Sequence, residues 1–72
     1  MHKINVTVVS PEQASYGTAE FWSGDRLIGF TRLEDGDLMF RVEPRRDGAA
    51  VVVGAHSLAA ALAEAKRLLS LY

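Results

Sequence analysis

No cysteine occurs in these 72 residues, so no disulfide can staple the fold, and two histidines, His2 and His56, are too few for a structural zinc site. Nor is there an apolar run long enough for a secretory signal or a membrane span, which leaves a soluble protein of a reducing compartment, the cytoplasm by default, with no membrane contact. Charge of one sign is also missing. Eight Lys plus Arg stand against nine Asp plus Glu, a formal net charge of -1, and that balance disfavours a generalised grip on nucleic acid while leaving room for a focused basic patch. Linkers, repeats and low-complexity stretches are absent, as are a phosphate-binding glycine loop, a nucleophile elbow and an HExxH pattern. Catalysis therefore has no visible carrier, no cofactor is implied, and a non-enzymatic protein is expected.

What is present is 49% hydrophobic residues in a chain sized for one domain, residues 1–72. Lys, Asn and Ile are sparse beside Ala, Arg, Asp, Gly and Val, a bias that GC-rich bacterial genomes produce. A domain this small hides only about 60% of its unfolded surface, so its core stabilises it by only a few kcal/mol. Without disulfide or metal, the common remaining support is oligomerisation.

The segment 16–43 reads as two consecutive hairpins. Ser23-Gly24-Asp25 and Glu34-Asp35-Gly36 are turn clusters flanked by β-branched, aromatic and aliphatic residues, and two turns imply three antiparallel strands. Any two-residue loop within the first cluster puts Ala19 and Phe21 on one face with Ile28 and Phe30. At the second, a type I turn with Gly36 in a G1 bulge sets Phe40 beside Phe30 and Val42 beside Ile28. That choice collects Ala19, Phe21, Ile28, Phe30, Leu38, Phe40 and Val42 on one face and leaves Thr18, Glu20, Trp22, Gly29, Thr31, Met39, Arg41 and Glu43 on the other. A two-residue Asp35-Gly36 loop would instead set Phe40 beside Thr31 and carry Phe40 and Val42 to the Trp22 face.

Residues 3–9 alternate, with Ile4, Val6 and Val8 on one side, and form a first strand closed by Ser10-Pro11. Ser10, followed by Pro11, can cap a single helical turn. After the breaker-rich loop Pro44-Arg45-Arg46-Asp47-Gly48, the apolar run 49–53 is expected as a fifth strand. Ser57 is placed as the N-cap of a helix over 58–71 whose stripe is Leu58, Leu62, Ala65, Leu69 and Tyr72, widened by Ala61 and Leu68. At about 1.5 Å per residue the helix matches the strands in length and can cover the apolar face. The predicted fold is α+β: an antiparallel meander of four to five strands with one C-terminal amphipathic helix packed on one face.

A helix on one face leaves the other open, and there Trp22, Leu27, Met39 and Arg41, with Tyr16 and Leu33 toward one end, make a candidate interaction surface, since such residues are enriched in interface cores. Ala59, Ala60 and Ala63 offer a second close-approach flank but fit a solvated helix face as well. Arg45 and Arg46, near Arg41, are candidate anion or nucleic-acid contacts, opposed by Glu20 and Glu43 on the same face. Glu34, Asp35 and Asp37 crowd one hairpin tip; tight turns use acidic residues for their own geometry, and three carboxylates lack the further oxygens that Ca²⁺ wants. His56 has no identifiable nucleophile or carboxylate partner.

The strand ending in Val42-Glu43-Pro44, the short loop, Val51-Val52-Val53-Gly54 and the Ser57-Leu58-Ala59-Ala60-Ala61-Leu62-Ala63-Glu64-Ala65 helix start resemble the core of HicB-type antitoxins. The resemblance covers about half the chain. It departs in an additional hairpin at the front, alanines where acidic residues follow the cap, and no DNA-binding segment after the helix. It implies a small dimer that binds a toxin partner, and no catalytic residues. The expected function is a small protein-interaction module, self-associating as a homodimer, with nucleic-acid binding or antitoxin-like regulation as the alternative.

Overall fold

The computed structural model describes residues 3–72; His2 lies outside them. The elements run β1 (Asn5–Thr7), α1 (Pro11–Ser15), β2 (Glu20–Ser23), β3 (Arg26–Glu34), β4 (Asp37–Val42) and α2 (Ala55–Leu69). The four strands form one antiparallel meander in chain order, with β1 and β4 at the edges. Helix α2 lies over β1 on one face, so the fold is the expected two-layer α+β arrangement with four strands. The Ser10 cap is present: its Oγ accepts from the Gln13 N–H at 3.2 Å, with Pro11 opening the helix.

Two departures in the meander offset each other. The second turn is a two-residue loop, Glu34 pairing with Asp37, with Asp35 at φ 51° and Gly36 at φ 83°. Both central residues are left-handed, the type I′ form whose twist suits a hairpin, and Asp tolerates that region well enough for the G1 bulge to lose. Phe40 accordingly pairs with Thr31, and Val42 with Gly29. The bulge sits elsewhere, in β3: Trp22 pairs with Leu27 but Phe21 pairs with Gly29, leaving Ile28 as the extra residue. This slip restores Phe40 and Val42 to the Phe21 face.

The slip also corrects four assignments. Phe30 pairs with Glu20 and Arg41 and stands on the outer face, whereas Gly29, Thr31 and Leu33 belong to the inner one. Ile28 still reaches the core, buried with Ile4, Ala19, Phe21, Ala61 and Ala65. Gly29 lacks room for a side chain: a methyl there would strike the Arg41 carbonyl oxygen and the Phe40 ring, which instead settles against Phe21 at 4.8 Å between centroids. Thr31, fully buried, ties the chain entering β2 to the sheet: its hydroxyl donates to the Gly17 carbonyl at 2.8 Å and accepts from the Ala19 N–H at 3.0 Å.

The C-terminal third differs from expectation in two places. Residues 49–53 form no strand; Val51 and Val53 pack against the core while Val52 is 87% exposed, so the segment contributes side chains to packing and no ladder. Helix α2 starts a turn early, with Gly54 as N-cap and Ser57 inside the first turn, because Ala55 and the residues after it extend the helix backward from Ser57. It ends at Leu69, and Tyr72, placed on its stripe from sequence, is 62% exposed.

Candidate functional site

The outer face is built by β-alternation from all four strands. Asn5, Trp22 and Leu27 form one cross-strand row, and Thr7, Glu20, Phe30 and Arg41 the next, with Arg32 and Met39 beyond. Trp22, Leu27 and Phe30 are half-buried and Met39 is 48% exposed, so an aromatic and aliphatic band runs diagonally across a face that no helix covers. The Trp22 Nε1–H donates to Glu20 Oε1 at 3.3 Å, which satisfies the indole within the sheet. The Arg41 guanidinium lies 5.8 Å from the Phe30 ring centroid, a cation–π contact that places positive charge above the band.

The structure places Trp22, Leu27, Met39 and Arg41 on one face, Trp22 paired with Leu27, Arg41 beside Phe30 and Met39 about 15 Å along β3 from Leu27, while Tyr16 lies off that run. Tyr16 sits at the end of α1, 64% exposed, its carbonyl accepting from the Leu33 N–H at 2.9 Å. Leu27 pairs with Trp22, so Tyr16 lies about 20 Å along β3 from that pair. Phe30 is the member that sequence reasoning missed. The Gly that follows Ile28 was the available signal, since glycine inside a strand marks bulges and close backbone approach.

At the Trp22 end the loop after β4 borders the sheet, and Trp22, Leu27, Arg26, Glu43, Arg45 and Arg46 line a shallow open cleft. Arg45 is occupied within that loop: its Nε and Nη2 each donate to a carboxylate oxygen of Asp47 at 3.1 Å, while Asp47 Oδ1 also accepts from the Ala49 N–H at 3.0 Å. The hydrogen bonds from Arg45 and then Ala49 hold the Asp47 carboxyl below its ordinary value, and the same pairing raises the Arg45 guanidinium further. Arg46 is exposed at the rim. With Arg45 clasped, the remaining cations Arg26, Arg41 and Arg46 share the surface with Asp25, Glu20 and Glu43, a mixed-sign array that is a weak match to a phosphate backbone.

Elsewhere, His56 lines an open cleft between β1 and α2 with Lys3 and Glu64, and Glu64 is engaged by Arg67, whose hydrogen bond holds its carboxyl below the ordinary value. Among the described residues no group of three or more His, Asp or Glu is placed to hold a metal ion, and no helix is long and apolar enough to cross a membrane. The chain matches no family model, no curated protein and no solved structure.

Proposed function

We propose that this chain is a small non-enzymatic protein-interaction module of the cytoplasm that self-associates as a homodimer and offers its outer sheet face to a protein partner. One observation carries the reading: a sheet with a helix on one side ordinarily keeps its other side polar, and here that side holds Trp22, Leu27, Phe30 and Met39 across three strands. Aromatic, Met and Arg side chains of this kind are the usual centre of an interface. The thin core argues for association as well, because among the described residues four of the seven buried apolar ones, Ala14, Ala19, Ala61 and Ala65, are alanines that bury little area.

Light scattering of the full chain over a concentration series, at low and high salt, tests self-association. A dimer that survives salt is expected, and a monomer at every concentration would sink this part of the reading.

A further inference from the structure

We propose that two copies join through the free edges of their β4 strands, paired antiparallel about a two-fold axis at Met39, to make one continuous eight-stranded sheet. The inference rests on the self-association proposed above and names the surface that performs it. The two edges of the sheet are unlike. β1 is three residues long, a short edge of the kind that resists pairing, whereas β4 spans six residues without proline, lysine or bulge.

The backbone fixes which groups are available. The Glu43 N–H donates to the Ile28 carbonyl at 2.7 Å, so by strand alternation Arg41, Met39 and Asp37 also turn their backbone groups toward β3, and Leu38, Phe40 and Val42 turn theirs to the open edge. A symmetric antiparallel pair using those groups can be centred only on a residue, which keeps inner faces with inner and outer with outer. Centred on Met39, Leu38 bonds with Phe40 of the second copy in both symmetry-related positions, giving about four backbone hydrogen bonds.

The side chains select that register. On the outer face Asp37 then stands opposite Arg41 of the second copy, twice, in the closer non-hydrogen-bonded positions. Centring on Phe40 would instead set Asp37 against Glu43, and centring on Leu38 would set it against Met39. On the inner face, Leu38 and Phe40 meet across the axis. The inner face needs this cover at the β4 side: α2 rests over β1, Val42 remains 52% and Leu33 48% exposed, and an apolar groove stays open between Leu62 of the helix and Leu33, Leu38 and Phe40.

Because the chain has no cysteine, Met39→Cys tests the axis cleanly. Two residues facing each other at a non-hydrogen-bonded site lie about 4.5 Å apart, within disulfide range, so this variant is expected to form a linked dimer under mild oxidation. Arg32→Cys, one strand inward, would lie about 14 Å from its copy and stay unlinked. Independently, Asp37→Arg or Arg41→Asp alone should weaken the dimer roughly tenfold by light scattering or ultracentrifugation, and the two together should restore it. Failure of Met39→Cys to link, or failure of the double exchange to restore what either single change loses, overturns the edge pairing. A dimer untouched by the edge variants but dissociated by Trp22→Glu would move the interface to the outer face, ending this inference and leaving the self-association intact; a wild-type monomer ends both.

Discussion

At the scale of single residues, Thr31 holds more of the structure together than its size suggests. It is fully buried, and its hydroxyl serves two backbone groups, the Gly17 carbonyl and the Ala19 N–H, at a point where the chain turns from α1 into β2. Thr31→Val keeps the shape and strands both groups in a dry site, so we expect a loss of about 2 kcal/mol in urea unfolding with no change in oligomeric preference. A loss below half a kcal/mol would mean that water reaches the site. Unbroken alternation through β3 puts Thr31 on the solvent side, and a single buried hydroxyl gives no periodic signal of its own. Phe30 was misplaced by the same slip, and it is Gly29 beside them, chosen by the approach of the Arg41 backbone and the Phe40 ring, that explains why the strand breaks step there.

Among the elements, the loop after β4 has a pH-dependent clasp. The Asp47 carboxyl is held below its ordinary value by Arg45 first and the Ala49 N–H second. A carboxyl lowered in the folded chain contributes its stabilisation above the ordinary aspartate range and loses it as pH falls through the lowered value. Carbon-detected titration of Asp47 by NMR should give a midpoint below that of an unperturbed aspartate, with the Ala49 amide proton shift following the same midpoint as its acceptor protonates; a midpoint at or above the ordinary value would dissolve the clasp. The elements were legible in sequence where local chemistry decides them. The Ser10-Pro11 cap, both hairpins and the C-terminal helix follow from turn and capping residues and from a strong periodicity. Where two local solutions fit the same residues, they were not. Glu34-Asp35-Gly36 suits a type I turn with a bulge or a type I′ loop, and both seat Phe40 on the Phe21 face, the first with β3 unbroken and the second with β3 bulged at Ile28 as observed. The apolar run 49–53 has strand chemistry, yet its position is set by Val51 and Val53 packing beside α2 rather than by a partner strand. Of the candidate surface, the Trp22–Leu27 pair was readable from the first turn, and Met39 and Arg41 were readable because two one-residue register errors, at Gly36 and at Ile28, cancelled; Tyr16 was lost because the connection through α1 carries it to the far end of β3.

As a whole molecule, the chain has a Cα radius of gyration of 12.1 Å, against about 11 Å for a compact domain of this length, and its extents of 34 × 22 × 20 Å fit a sheet only partly roofed by one helix. In the dimer proposed above, stability is linked to association. The melting temperature should rise with protein concentration, roughly 4 °C for each tenfold increase, in differential scanning calorimetry, and a melting temperature independent of concentration would count against dimerisation. The placement of α2 over β1 also orders events during synthesis. The three-strand meander of β2 to β4 has only local pairings and can close as soon as it leaves the ribosome, whereas its apolar roof is the last of these elements to be made and docks on the first strand. For the time it takes to translate some thirty residues, each nascent sheet travels with Phe21, Ile28 and Phe40 bare, and neighbouring nascent chains on one message would carry matching open β4 edges at high local concentration.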